Sequence, residues 1–245
     1  MQTKLIILGC GNSIGVPSID GIWGKCDKKN KKNIRSRCSA IILKGSNSIL
    51  IDTSPDIKKQ FIDNRIKDLS SVIFTHEHAD QTNGLFELRP FFWKNKKKIE
   101  VFASPKTLKQ LKNKHDYCFY GGQGYIPIMK GNLIKKKFSL SKKNSKITFR
   151  TFEVGHGMIK ATAYIFNKTA YISDCNKIFQ SDINKLKGLQ YLIIDCLKYK
   201  QHPSHFNIED ALALSSTLNP KKTILTNLHT DLDYEFLRKI LPKNI

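Results

Sequence analysis

His76 and His78 stand two residues apart, with Asp80 two further on, directly after the apolar run Ser71-Val72-Ile73-Phe74. A strand that ends here and turns lets all three side chains converge on one point. Neutral imidazole together with carboxylate suits zinc, iron or manganese. A single His in such a place is more often a packed or surface residue, but His-x-His-x-Asp after a β run points to a metal site. Two later segments repeat the arrangement. Glu153-Val154-Gly155-His156-Gly157 sets an imidazole between glycines, where the backbone turns sharply, and Tyr171-Ile172-Ser173-Asp174 delivers a carboxylate at a strand end.

The elements that must position these groups follow from pattern. Residues 3–8 read as a buried opening strand. The following Gly9-Cys10-Gly11-Asn12-Ser13-Ile14-Gly15-Val16-Pro17 has GxGxxxG spacing and a proline where a dinucleotide-binding helix would begin, so it reads as a tight loop near the site. A basic excursion over 22–37 leads to strands at 39–43 and 48–52, joined by a hairpin at Gly45-Ser46-Asn47. Ser54-Pro55 predicts an N-cap and first-turn proline for a helix with Ile57, Phe61 and Ile62 as apolar positions. After the metal strand come a helix from Asn83 that stops at Arg89-Pro90, a strand over 99–103 and a helix over 105–112. The aromatic and glycine-rich stretch 117–125 serves either as a pocket cap or as an anchor for a surface loop.

Beyond Gly131 the signal is β: weak at Leu133-Ile134, then strands over 146–154 and 161–166. A turn at Asn167-Lys168 closes a hairpin with 170–173. A buried strand over 191–196 precedes His202-Pro203-Ser204-His205-Phe206-Asn207. Asn207 caps a helix with Ala211, Leu214 and Leu218 inside. A strand over 223–225 and a closing helix from about Asp233 complete the chain. Strand and helix alternate throughout, which argues for an α/β layered protein in one domain, 1–245.

The formal net charge of +22 would ordinarily point to a polyanionic partner. Arginine, however, occurs only at Arg35, Arg37, Arg65, Arg89, Arg150 and Arg238, and the remaining basic residues are lysines scattered in short runs, as on solvated faces. Charge alone carries little information about specific recognition, so nucleic acid is admitted as a partner but not favoured. Six cysteines without a CxxC pair indicate neither a zinc ribbon nor a disulfide framework, and fit a cytoplasmic protein. No stretch approaches the ~20 apolar residues of a membrane span. The apolar run that stops at Gly9 is too short for a signal-peptide core. A homodimer is compatible with all of this.

His76, His78, Asp80, His156 and Asp174, in this order, resemble the ligand pattern of the metallo-β-lactamase superfamily. The Gly-rich opening, Trp23-Gly24-x-Cys26-Asp27 and Asp231-Leu232-Asp233-Tyr234 resemble the branch containing the phosphoribosyl 1,2-cyclic phosphate phosphodiesterase, with ribonuclease Z more distant. The resemblance implies an αββα four-layer sandwich of two mixed β-sheets flanked by helices. It also implies two metal ions bridged by Asp174. Two positions depart from it. Gln81 and Asn227 stand where the family has His, and both missing imidazoles would serve the second ion, whereas His76, His78, His156 and Asp174 would serve the first. The expectation is therefore one ion, zinc or manganese, rather than two. Amide oxygens of Gln81 and Asn227 are the candidate replacement ligands, and His229 a displaced one.

The implied activity is metal-dependent hydrolysis of a small cyclic or nucleotide-like phosphodiester. Asp80 orients or deprotonates the water, and His205 acts as general acid or phosphate contact, with His202 as the alternative. Asp52 would hold the His-rich loop in place. Arg35 and Arg37 read as solvated, or as contacts to a substrate phosphate. RNA processing in the manner of ribonuclease Z, and a degenerate member that binds a ligand without catalysis, are the rival functions.

Overall fold

In the sequence, apolar runs of four to six residues alternate with short helical stretches, and in the computed structural model, which describes residues 1–122 and 124–245, these runs become the buried strands. Tertiary contacts divide the chain into two compact units, Met1–Leu8 with Ser39–Thr148, and Gly9–Cys38 with Phe149–Ile245.

In order, the elements are β1 (Lys4–Gly9), β2 (Ser39–Lys44), β3 (Asn47–Ile51), α1 (Ile57–Asp63), β4 (Ser71–Ile73), α2 (Ala79–Thr82), α3 (Arg89–Asn95), β5 (Ile99–Ala103), α4 (Pro105–Lys114), α5 (Asp116–Phe119), β6 (Met129–Leu133) and β7 (Lys137–Lys142). There follow β8 (Ser145–His156), β9 (Ile159–Phe166), β10 (Thr169–Ile172), α6 (Gln180–Ile183), β11 (Tyr191–Asp195), α7 (Ile208–Leu218), β12 (Lys222–Thr226) and α8 (Tyr234–Ile240). They form two mixed six-stranded sheets flanked by helices, one in the order β1-β2-β3-β4-β5-β6 and the other β12-β11-β10-β9-β8-β7.

In the first unit β2 and β3 pair antiparallel across Gly45-Ser46, and Gly45 takes the positive φ that the tight loop requires. From β3 through β6 each strand runs parallel to the next. Ile49, Leu50, Ile51, Val72, Ile73 and Phe74 are fully buried, as expected of parallel strands covered on both faces. Each contributes about 1.5–3 kcal/mol by leaving water. In the second unit β8/β9 and β9/β10 are antiparallel, and β10, β11 and β12 are parallel. Asn167 and Lys168, both at positive φ, make the tight β9–β10 turn.

The expected elements recur with local differences that have physical causes. The helix after Pro55 begins at Ile57, because the Ser54 hydroxyl accepts from Asp56 N at 3.2 Å and bonds Gln60 Oε1 at 3.0 Å, which makes 54–56 a turn rather than a cap. Ile62, expected on the apolar side, is exposed. Arg89-Pro90 opens α3 instead of ending a helix, since a first-turn proline lacks only an N–H that has no intrahelical partner there. The strand read weakly at Leu133-Ile134 lies earlier, as β6. The polar β7 has no counterpart in the sequence reading; it is the last strand of its sheet, with only Leu140 buried, so its pattern is that of an edge. In the stretch 117–125, Cys118 and Phe119 enter the core of the first unit, and Tyr117 meets Tyr125 edge-on at 5.8 Å; Gln123 lies outside the described residues.

Asn207 caps α7 as expected, and does so reciprocally: its side chain accepts from Asp210 N at 2.8 Å while Asp210 Oδ2 accepts from Asn207 N at 3.2 Å. Replacement of Asn207 by Ala is expected to lower the urea unfolding free energy by about 1 kcal/mol, a typical cost for losing a cap.

Candidate functional site

The chemistry-bearing side chains of the first unit sit where its parallel strands end. Asp52 follows β3 at φ 60° and is fully buried. Its carboxylate accepts from Thr75 N and from Thr75 Oγ1, both at 2.8 Å, and so fixes the chain leaving β4. Because the Thr75 hydroxyl donates to Asp52, it accepts from His76 Nδ1 at 3.0 Å, which leaves the lone pair of buried His76 on Nε2. An acceptor behind one ring nitrogen that aims the other is the usual support of a metal-bound imidazole. The ring of exposed His78 lies edge-on to that of His76, with centroids 4.6 Å apart. Glu77, between them, is tied to α4 through Lys106 Nζ at 3.0 Å and Thr107 Oγ1 at 3.0 Å, and its carbonyl accepts from Lys114 Nζ at 3.1 Å. Asp80 lies in the first turn of α2, and the Gln81 amide donates to Asp80 Oδ2 at 3.3 Å.

The second unit follows the same logic. β8, β10, β11 and β12 run in one direction, and their leading ends deliver His156, Asp174, Asp195 and Asn227. One ligand atom each of His156, Asp174 and His205 lies within 4.8 Å of the others. His156 Nδ1 donates to the Ser204 carbonyl at 2.7 Å, which again places the lone pair on Nε2. His205 Nδ1 donates to Asp195 Oδ2 at 2.7 Å, and its ring meets that of His156 edge-on at 4.7 Å. Burial pushes the Asp195 carboxyl up to about 7, against the lowering pull of its hydrogen bond and charge interaction with His205. Asn227, buried and at φ 64°, directs its amide nitrogen to Asp174 Oδ1 at 3.2 Å and to Asp195 Oδ1 at 3.1 Å. An imidazole whose lone pair is oriented from behind, His156, beside the carboxylate of Asp174 fits a divalent metal ion.

Other candidates fall elsewhere. His202 Nδ1 lies 3.1 Å from Ser204 Oγ, with its ring 5.2 Å from that of His205, and burial lowers its pKa. His229 bonds Thr230 Oγ1 and Asp231 N locally and belongs to no cluster of potential metal ligands among the described residues. The expectation of a solvated or phosphate-binding Arg35 is overturned: it is buried, and its guanidinium bonds the carbonyls of Leu232 at 2.6 Å and His229 at 3.3 Å together with Asn33 Oδ1 at 3.2 Å. It pins the 229–232 turn. Asp195 has no role in the sequence reading, although its signal is present: an apolar run closed by Asp occurs at Asp52, Asp174 and Asp195 alike.

Comparison with known proteins places these residues in context. Residues 47–227 match the family model described as beta-lactamase superfamily domain. The chain is similar to a crystallised diphosphatase from the PhnP family, at 28% identity and TM-score 0.91, covering 100% of this chain and 93% of that one. Zinc-bound PqqB from Methylobacterium extorquens (14% identity, TM-score 0.75, 94% and 90% covered) and human tRNase Z, short form (13%, 0.67, 93% of each) share the fold. An octanoyltransferase of Porphyromonas gingivalis is 31% identical over 99% of this chain but only 49% of its own length, so the chain spans about half of that relative.

Proposed function

The chain belongs to the metallo-β-lactamase superfamily, close to its PhnP branch, and on that premise we propose that it is a metal-dependent phosphodiesterase acting on a small cyclic or nucleotide-like ester. The observation that carries this reading is the paired tautomer control: His76 through Thr75 and Asp52, and His156 through Ser204, each have Nδ1 engaged so that Nε2 bears the lone pair. Such control suits metal ligation and has no purpose on a plain surface.

In this reading the ligand residues are those the family resemblance implies for a single ion, His76, His78, His156 and Asp174, and Asp80 is left free to act as a base. A bound divalent ion supplies Lewis acidity, lowering the pKa of a water and polarising a phosphoryl oxygen. Asp80 accepts the water's proton. His205, held by Asp195, carries a proton on Nε2 to the departing oxygen, and the buried carboxylate stabilises the imidazolium between turnovers. The 28% identical neighbour is a diphosphatase, whose reaction is also phosphoryl chemistry, and this supports the substrate class.

The octanoyltransferase name belongs to a protein about twice as long. Acyl transfer through a thiol would need a cysteine with a lowered pKa. Here burial raises the thiols of Cys10, Cys26, Cys38, Cys118, Cys175 and Cys196.

Hydrolysis of bis-p-nitrophenyl phosphate tests the proposal. Activity should vanish after EDTA and metal-free dialysis and return with zinc or manganese. Turnover that survives metal removal would refute it.

A further inference from the structure

A second ion of the kind the fold family implies requires a lone pair at the end of β12, and the group standing there is an amide whose nitrogen faces inward. Asn227 Nδ2 has two hydrogens, and two buried carboxylate oxygens lie in reach, Asp174 Oδ1 at 3.2 Å and Asp195 Oδ1 at 3.1 Å. Turning the amide over would replace two hydrogen bonds by two contacts at the same distances between a neutral acceptor oxygen and carboxylate oxygens, with no hydrogen between them. Nδ2 also stands 3.0 Å from His205 Nδ1, a contact between two donors that the two carboxylate bonds outweigh. A protonated amide nitrogen is not a metal ligand. The donor set therefore does not fit a second ion at this strand end.

We infer that the Asn227 amide substitutes for a cation between Asp174 and Asp195, so that the chain takes one divalent ion. Two buried carboxylates side by side repel, and each needs a positive group or a donor directed at it. Asp195 Oδ2 accepts from His205 Nδ1 and Cys175 N, and the N–H groups of Asn227 add an uncharged donor shared between Asp195 Oδ1 and Asp174 Oδ1. They also tie Asp174, a ligand in the proposed function, to the Asp195–His205 pair, so the groups stay in register when only one ion is present. Gln81 behaves in parallel within the first unit, where its amide nitrogen likewise faces a carboxylate, Asp80 Oδ2 at 3.3 Å. Asparagine is suited to the position for a backbone reason as well, because it tolerates φ 64° with little strain.

The inference rests on the metal-dependent reading, and the experiment separates the two. Metal-free chain is titrated with Co(II), following the visible ligand-field bands, and its metal content is measured after desalting. The wild type should bind one tight equivalent. Asn227→Gly, which keeps the left-handed backbone conformation accessible, should retain that equivalent and gain a second one bound at least ten-fold more weakly, because the two carboxylates have lost their shared donor. Two tight equivalents in the wild type would overturn the inference, as would loss of the single equivalent in Asn227→Gly, which would make Asn227 a ligand. A count that stays at one in that variant removes its role as a cation substitute. A wild-type chain that binds no divalent ion overturns the hydrolase reading as well, whereas the other outcomes leave that reading standing.

Discussion

His205→Ala should cut kcat/KM on a phosphodiester with an alkoxide leaving group by about 10²–10⁴, the usual contribution of a positioned general acid. On bis-p-nitrophenyl phosphate the loss should stay below about ten-fold, because p-nitrophenolate departs without protonation. Metal content should not change. Three features of the site lead to this outcome. Nδ1 of His205 is bonded to Asp195 at 2.7 Å, so Nε2 is the nitrogen that exchanges protons with substrate. Asp195 is fully buried, which gives the imidazolium a partner that water does not screen. The ring lies beside His156 without displacing the hydrogen bond that orients that residue. Equal losses on the two substrates, accompanied by loss of metal, would make His205 a ligand instead of an acid.

The second large effect is expected at Asp52. Asp52→Ala should lower unfolding free energy by roughly 2–4 kcal/mol and weaken metal affinity about 10–100-fold. Removing the carboxylate leaves Thr75 N–H buried without its acceptor, and Ala is strained at φ 60°. It also frees the Thr75 hydroxyl to rotate, so His76 loses the acceptor that fixes its tautomer. Asp52→Asn keeps the left-handed tolerance and one acceptor oxygen, and should fall between wild type and Ala in both urea melts and metal titrations. Equal stability of Asp52→Ala and wild type would sink this account.

What the sequence disclosed, and what it concealed, divides along physical lines. Candidate ligands that follow their own strand, such as His76, His78, His156 and Asp174, were legible because residue type and element end coincide within a few positions. Asn207 was legible as a cap, and the start of the closing helix near Asp233 was legible too, since capping is a contact between near neighbours. Asp195 was hidden because it closes an apolar run that reads simply as buried strand; its importance comes from His205 and Asn227, which arrive from other segments. Arg35 was misjudged for a similar reason. Its carbonyl partners at His229 and Leu232 lie nearly two hundred positions away, and nothing in a basic loop announces that one of its cations is buried. β7 was missed because an edge strand buries too little to impose a pattern.

Both units keep their chemistry just beyond the hydrogen-bonded ladders: Gln81 in a single turn after β4, Asn227 one residue past β12. Their side chains take no part in the strand ladders, so an exchange at 81 or 227 leaves the strand register in place. On the one-ion proposal, exchanges at 81 and 227 alone would separate one-ion from two-ion chemistry while the strands beneath stay as they are.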